Sequence, residues 1–346
     1  MSDFEKGLKI INIDEAKNIY STLIDEESKM IFGKRLLYSI TGDYKYILDI
    51  VDFDDEYLKL KQHNDSGEKI ILFGAGIYGR AISKYFSDIK WECFVDNNPK
   101  EDMIEGLPVI TFNELTEKHS DAIVVLCSCL YNEDIYLQCT NAGIPKENII
   151  VLVKPCNNGM LDKQYFEFLP ENKETESFVD AGALDGDSSK RFVKWCDGDY
   201  SNIWVFEPDP ESYKLCKKRL DIPNCTIYNM GLFDKEDTIS FSAGLGGASN
   251  INNDGEISIK VDKLDNVLKD QKVTFIKMDI EGSELEALQG AENIIRKQKP
   301  RLAICVYHKA EDIISIPTLL LKYNPNYKFC LRHYSNFNIE TVLYAF

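Results

Sequence analysis

A chain of 346 residues with 44% apolar residues is long enough for about two domains, each with its own core. Its formal net charge of -17 argues against a nucleic acid or an anionic membrane as partner, because both are bound by clustered Lys and Arg. The first ten residues lack an apolar signal core, and no apolar run approaches the roughly 20 residues that span a bilayer. We therefore expect a cytoplasmic protein.

The ten cysteines are scattered along the chain without a paired CxxC spacing. Cys127 and Cys129 lie in an apolar, strand-like run. This distribution is typical of reduced thiols in a protein core and favours them over disulfides or a zinc site.

The first segment, residues 1–66, is predicted to be helical. Apolar side chains recur at three- and four-residue spacing, as in an amphipathic helix: Ala16, Ile19, Tyr20, Leu23 and Ile24. Asp25 is a candidate cap for a second helix that ends at Gly42. Because such a segment cannot form a core alone, we expect it to pack on a neighbouring domain or on a second subunit of a homo-oligomer.

Residues 67–155 alternate between strands and helices and predict a smaller, abbreviated Rossmann-like α/β domain. A strand in "KIILFGAGIYGR" runs into Gly74, Gly76 and Gly79, which have the GxGxxG spacing. Asp96 ends the next strand about 20 residues later, where an acidic side chain can bind a ribose. These four residues form a candidate second site for a nucleotide or nucleotide sugar. The same glycines can instead serve only the packing of helix on strand.

Residues 156–346 contain a second alternating region. Five strands are separated by crossover helices, and such long connections imply a parallel sheet. The last two strands are joined by only "NFNI", which is short enough to require an antiparallel pair. An α/β sheet of this kind, with an antiparallel carboxyl-terminal hairpin, is the class I methyltransferase fold. The sequence predicts it without insertions.

The first strand of this region ends in the glycine turn "FVDAGALDGDSS". Gly182 is expected to let the backbone approach a ligand, and Gly186 to allow tight entry into the next helix. Asp180, Asp185 and Asp187 would repel a pyrophosphate at this turn. S-adenosylmethionine avoids the repulsion, because it has no phosphate and carries a sulfonium and an amino group. We therefore predict that Asp180, Gly182 and Gly186 bind this cofactor.

Two further strand ends extend the predicted cofactor site. Glu207 ends the second strand in "VFEPDP", about 20 residues past the glycine turn, where one carboxylate can bind both ribose hydroxyls. Met230 and Gly231 end the third strand in "YNMGLFD". A backbone N–H and apolar side chains at this position are expected to flank the adenine.

In this order the motifs resemble the FkbM family of S-adenosylmethionine-dependent methyltransferases over roughly residues 175–346. The resemblance continues in "GGAS", "FIKMDIEGSELEALQGA" and "ETVLYAF", and "KMDIEGSE" is its most specific part. It implies methylation of a hydroxyl, commonly on a sugar or a polyketide-type metabolite. Leu184 stands where the family often has Asn, and Asp185 where it often has an apolar residue. These departures leave the contacts to the methionine end of the cofactor open.

The candidate catalytic residues follow the fourth and fifth strands, at the edge where open α/β sheets bind ligands. His308 is the predicted general base, because its neutral form is available near pH 7. Asp279 is expected either to line the methionine end of the cofactor or to join Glu281 in holding a divalent cation. Ser249, in the Gly- and Ser-rich stretch "SAGLGGASN", is a candidate substrate contact.

The predicted function is O-methylation of a small molecule, a sugar or a sugar-containing metabolite, with S-adenosylmethionine as methyl donor. Two alternatives stay open at this point. One is an NAD-dependent oxidoreductase that binds its cofactor at the "GAGIYG" turn. The other is a noncatalytic protein that binds a nucleotide sugar.

Overall fold

The computed structural model describes residues 12–51, 53–128, 131–152, 163–168, 175–242, 250–251 and 257–346. The chain divides into two compact units. The larger unit comprises Met1–Gly42, Asp162–Tyr334 and Asn338–Phe346, and the smaller unit comprises Asp43–Leu161 and Ser335–Phe337. The predicted segment of residues 1–66 is therefore divided between the two. Within the described ranges, no helix is both long and apolar enough to cross a bilayer.

The described helices are, in chain order, α1 (Ile13–Thr22), α2 (Glu26–Thr41), α3 (Lys45–Leu48), α4 (Asp54–Asp65), α5 (Ile77–Tyr85), α6 (Phe112–Lys118), α7 (Asn132–Asn141), α8 (Asp187–Trp195), α9 (Pro210–Arg219), α10 (Leu264–Val267), α11 (Glu284–Gln289), α12 (Glu292–Gln298) and α13 (Asp312–Tyr323). The strands are β1 (Ile70–Phe73), β2 (Trp91–Val95), β3 (Met103–Ile104), β4 (Leu107–Ile110), β5 (Ile123–Leu126), β6 (Ile149–Val151), β7 (Glu176–Ala181), β8 (Tyr200–Phe206), β9 (Cys225–Tyr228), β10 (Gly231–Leu232), β11 (Asp237–Ser242), β12 (Asn250–Ile251), β13 (Ile257–Asp262), β14 (Phe275–Met278), β15 (Arg301–Cys305), β16 (Phe329–His333) and β17 (Thr341–Ala345).

Helices α1 and α2 pack inside the larger unit. The carboxylate of Asp25 accepts a hydrogen bond from the Ser28 backbone N–H and caps α2, which ends at Gly42 in the left-handed conformation. The buried Ser28 hydroxyl accepts the backbone N–H of Leu331 at 2.9 Å and so joins α2 to β16. Packing on the sheet of the same chain is one of the two arrangements that the sequence left open. A homo-oligomer stays a prediction.

The smaller unit contains a six-stranded sheet in the order β3-β4-β2-β1-β5-β6, in which only the β3–β4 pair is antiparallel. Gly74 has a φ of 118°, and a Cβ on Gly79 would lie 1.9 Å from the Gly74 carbonyl oxygen. A Cβ on Gly76 would meet nothing within 4 Å. Asp96 accepts the backbone N–H of Ala75 at 3.1 Å. Gly74, Gly79 and Asp96 thus hold the turn itself, and nucleotide binding there stays a prediction.

The larger unit is built on a seven-stranded sheet in the order β16-β17-β15-β14-β7-β8-β9. Strand β17 is antiparallel to both of its neighbours, and the pairs from β15 to β9 are parallel. Stacked rings of Phe178 and Phe192, with centroids 4.3 Å apart, pack helix α8 on the first strand. The predicted class I methyltransferase architecture and its antiparallel hairpin are confirmed.

A second, four-stranded sheet is inserted between β9 and β14 in the order β10-β13-β11-β12. The prediction of a fold without insertions was therefore wrong. Phe241, Ile259 and Val261 form a small buried cluster in this sheet. Their alternation with polar residues in "TISFS" and "ISIKVD" is a strand signal, which the neighbouring Gly- and Ser-rich stretch obscures.

A buried ion pair joins two neighbouring central strands, β7 and β14. Lys277 Nζ lies 3.2 Å from Asp180 Oδ1, and both side chains are almost fully buried. The hydroxyls of Ser188 and Ser189, in the first turn of α8, donate to the other carboxylate oxygen of Asp180, each at 2.6 Å. Burial alone would lower the pKa of Lys277, but Asp180 and Asp279 outweigh it and raise that pKa. The lysine therefore stays charged.

Replacement of Lys277 by Met should lower the free energy of unfolding by about 3–5 kcal/mol, because the Asp180 carboxylate would be left buried without its cation. The double variant D180N/K277M should recover part of this loss. Urea unfolding followed by circular dichroism measures both effects, with the exposed Lys269→Met as the matched control. A K277M protein as stable as wild type would contradict this role.

Candidate functional site

A cavity opens in the larger unit where the parallel strands β7, β8 and β14 end. Five of the residues predicted from sequence line it: Gly182, Glu207, Gly231, Asp279 and Glu281. Four of them follow β7, β8 and β14 and meet because the carboxyl ends of parallel strands lie at one edge of the sheet. Gly231 does not end the third strand as predicted, because β9 ends at Tyr228 and Gly231 begins β10 of the inserted sheet.

Other predicted residues do not line this cavity. Asp180, predicted to bind the cofactor, is fully buried and engaged by Lys277 and two serines, so its side chain does not line the cavity. Gly186 begins α8 with a φ of 82°, and a Cβ there would lie 2.7 Å from Leu220 Cγ, so it serves packing. Met230 is half-buried and outside the lining. Ser249 lies outside the described residues.

Gly182 shows why the glycine turn has this sequence. Its φ is 76°, and a Cβ at this position would lie 1.8 Å from the carbonyl oxygen of Asp279. Only glycine fits between the ends of β7 and β14 in this conformation. The turn therefore passes close to Asp279 and exposes its backbone to the cavity.

The carboxylate of Glu207 is held in place by two backbone donors. Leu184 N–H donates to Oε2 at 2.8 Å, and Asp209 N–H donates to Oε1 at 2.9 Å. Burial raises the pKa of Glu207 to about 7, although both donors oppose the shift. Each oxygen keeps a further lone pair, so the fixed carboxylate can accept two hydrogen bonds from a diol in the cavity.

One wall of the cavity is apolar. It is formed by Leu184 and Leu232 together with Phe241 and Ile259 of the inserted sheet. Sequence reasoning missed Phe241 and Ile259, because the inserted strands were not recognised. A wall of this kind suits a flat, apolar ring such as a purine base.

The charged residues of the cavity all have the same sign. Among the described lining residues these are Glu207, Asp279 and Glu281, and the lining contains neither Lys nor Arg. In a partly buried site such a set attracts a cation and repels a phosphate.

Asp279 is ionised by its surroundings. The hydroxyl of Tyr165 donates to Oδ2 at 2.7 Å and that of Tyr307 to Oδ1 at 3.2 Å. Burial by itself would raise the pKa of Asp279, but the positive charges of Lys277 and His308 and the Tyr165 hydroxyl lower it. Sequence reasoning missed Tyr165 and Tyr307, whose distance from Asp279 along the chain gives no signal of contact.

His308 lies among three carboxylates, which the sequence analysis did not anticipate. Its Nδ1 is 3.0 Å from Glu284, and its Nε2 is 3.4 Å from Glu281 and 3.5 Å from Asp279. Burial alone would lower the pKa of His308, but these carboxylates raise it to about 11. A protonated imidazole cannot take a proton from a substrate, so this arrangement disfavours His308 as general base, and that role stays a prediction.

Glu281 projects from an unusual turn after β14. Its φ is 53° and that of Gly282 is 92°, so two consecutive residues are left-handed. This conformation is costly for a residue with a side chain and is found preferentially where function requires it. The Glu281 side chain, 28% exposed, reaches the cavity.

Comparison with known proteins agrees with this architecture. Residues 180–327 match the model of the methyltransferase FkbM domain. Residues 66–150 match a second model, that of the C2185-like N-terminal region.

Two relatives are informative. The hexuronic acid methyltransferase AglP of Haloferax volcanii is 27% identical over 128 residues, which cover 35% of this chain and 53% of AglP. The match thus spans about half of that relative. The crystal structure of the methyltransferase FkbM from Methylobacillus flagellatus KT matches with a TM-score of 0.53 at 18% identity, over 93% of this chain and 99% of that chain. At this identity the likeness shows a shared fold. Residues 180–327 of this chain thus match the methyltransferase FkbM domain.

Proposed function

We propose that the larger unit transfers the methyl group of S-adenosylmethionine to a hydroxyl oxygen of a small acceptor. The observation that carries this proposal is the set of three carboxylates, Glu207, Asp279 and Glu281, which supply the charge of the cavity lining. A sulfonium cation is attracted by such a site, whereas the pyrophosphate of NAD is repelled. In the described residues, no observation favours the oxidoreductase alternative.

Each part of the donor has a matching region of the cavity. Glu207 accepts hydrogen bonds from the two ribose hydroxyls, because its carboxylate is already oriented by backbone donors. Phe241 and Ile259 pack against the adenine. The ionised Asp279 lies at the end of the neighbouring strand and attracts the positive methionine end of the donor.

The reaction is an in-line displacement. The acceptor oxygen forms a bond to the methyl carbon while the bond between carbon and sulfur breaks, and the electron pair of that bond stays on sulfur as S-adenosylhomocysteine. The proton of the hydroxyl passes to the carboxylate of Glu281, which lines the cavity in place of His308. Positioning alone contributes about 7–11 kcal/mol in favourable cases, and a well-placed base adds about 100- to 10,000-fold in rate.

A sugar is the acceptor class that we propose. The relative AglP is by name a hexuronic acid methyltransferase. Sugar hydroxyls are poor nucleophiles, which fits a site that supplies a carboxylate beside the methyl donor.

Donor affinity should depend on the ionisation of Glu207. Above pH 7 the carboxylate can accept from both ribose hydroxyls, and below its pKa of about 7 one oxygen carries a proton. We expect the affinity for S-adenosylmethionine to fall as the pH drops below 7, by up to about tenfold per unit. Isothermal titration calorimetry between about pH 5.5 and 8.5 measures this slope.

The variant E207Q should bind the donor at least about tenfold more weakly and lose the pH dependence. The exposed Glu211→Gln, on α9, is the matched control and should keep both the donor affinity and its pH dependence.

The free energy of unfolding of the protein without donor changes with pH in the opposite direction. Folding raises the pKa of Glu207 from 4.5 to about 7. The protonated carboxyl therefore stabilises the folded protein in full below pH 4.5, and this contribution is lost as the pH rises through about 7. A flat affinity profile in wild type would contradict the role of Glu207.

Replacement of Glu281 by Gln should reduce kcat about 100-fold or more, because the proton acceptor is lost while shape is kept. Donor affinity should change by less than about threefold, since Glu281 acts on the acceptor. Formation of S-adenosylhomocysteine with a panel of neutral and acidic sugars measures turnover. Glu286→Gln, whose side chain is outside the cavity lining, is the control. Wild-type turnover by E281Q would exclude Glu281 as the base.

A further inference from the structure

We propose that Asp279, Glu284 and His308 bind one divalent transition-metal cation, of which Mn²⁺ is representative, beside the cavity. A carboxylate oxygen from each acid and a ring nitrogen of His308 all lie within 4.8 Å of one another. Opposite ligands of an octahedral ion with bonds of about 2.1 Å are about 4.2 Å apart. The three ligand atoms are therefore already almost close enough together to coordinate one ion.

Unsatisfied buried atoms provide an independent observation. Glu284 is 1% exposed; its Oε1 accepts the backbone N–H of Ile280 at 2.9 Å, but its Oε2 has no hydrogen-bond partner in the described structure. Both ring nitrogens of His308, a side chain that is 9% exposed, are close to carboxylates yet aligned in no hydrogen bond within the described residues. Leaving buried polar atoms unpaired is costly, and a cation coordinated by Glu284 Oε2 and one ring nitrogen of His308 would satisfy those two atoms.

The charges around His308 also favour a bound cation. Asp279, Glu281 and Glu284 surround one imidazole, so negative charge is in excess even when His308 is protonated. A divalent cation bound to neutral His308 offsets more of this charge than a single proton does.

The donor atoms select the type of ion. One imidazole nitrogen and two carboxylates suit Mn²⁺, Fe²⁺ or Zn²⁺, which accept mixed nitrogen and oxygen ligands. Calcium prefers six to eight oxygen ligands and is the poorer match.

This site gives the reaction a way to activate the acceptor, and that role rests on the proposed function. Asp279 belongs both to the cation site and to the cavity lining. A cation held there binds the acceptor oxygen and lowers the pKa of its hydroxyl. The proton then passes to Glu281, the oxygen bonds to the methyl carbon, and the carbon–sulfur bond breaks towards sulfur. The cation keeps its oxidation state throughout.

The first test titrates the full chain with Mn²⁺ alone, without donor or acceptor, and counts free Mn²⁺ by electron paramagnetic resonance. We expect one bound ion per chain. E284Q and D279N should weaken its binding by about 10- to 100-fold or more. Glu286→Gln, on the same helix, should leave it unchanged. Absence of binding at millimolar Mn²⁺, or wild-type affinity in E284Q, overturns the proposal.

A second measurement does not depend on how the variants fold. The chain has only four histidines, so selectively labelled imidazoles give few signals. Substoichiometric Mn²⁺ should broaden the ring signal of His308 more strongly than those of the other three, His63, His119 and His333. If His308 is spared, the proposal fails.

The donor titration separates this proposal from the proposed function. Mn²⁺ binding at His308 without binding of S-adenosylmethionine supports the cation site and contradicts the proposed methyl transfer. Donor binding without Mn²⁺ binding overturns the cation site and leaves the methyl transfer standing.

Discussion

The buried pair of Lys277 and Asp180 is the interaction on which the site depends. Besides Asp180, the Lys277 ammonium donates to the carbonyl oxygens of Ala181 and Gly182, at 3.2 and 2.6 Å. It thus ties the end of β14 to the glycine turn after β7. The same turn presents the Leu184 N–H that orients Glu207. A charge buried without its partner costs several kcal/mol, so the pair holds this geometry firmly.

The pair also explains why the acidic turn after β7 does not add its own charge to the cavity. The carboxylate of Asp180 points into the core, where lysine neutralises it. The negative charge of the cavity comes instead from Glu207, Asp279 and Glu281, at the ends of other strands. The described lining is acidic, but it includes none of the three turn carboxylates named from the sequence, Asp180, Asp185 and Asp187. In the sequence, an acidic residue that faces a cavity cannot be told from one that is paired with a lysine inside a turn.

Much of the fold could be predicted because its signals are local. Alternating strands and helices indicated the parallel sheet, and the short link before β17 required an antiparallel hairpin. The inserted sheet was missed although β11 and β13 alternate, because the Gly- and Ser-rich stretch beside them obscured this signal and β10 and β12 are only two residues long. With it were missed Phe241 and Ile259, which line the cavity. Four of the five predicted residues that line the cavity converge there because parallel strands end at a common edge, and Gly231 reaches it from the inserted sheet.

The sequence by itself determined which side chains stand at the strand ends, since each follows its own apolar run. Only the tertiary structure decided which groups surround those side chains and how their pKa values shift. His308 follows a strand as predicted, yet three carboxylates from the segment after β14 lie around its ring and raise its pKa. Such effects depend on distance and burial, because charge interactions are strong only at short range and away from water. Spacing along the chain specifies neither quantity.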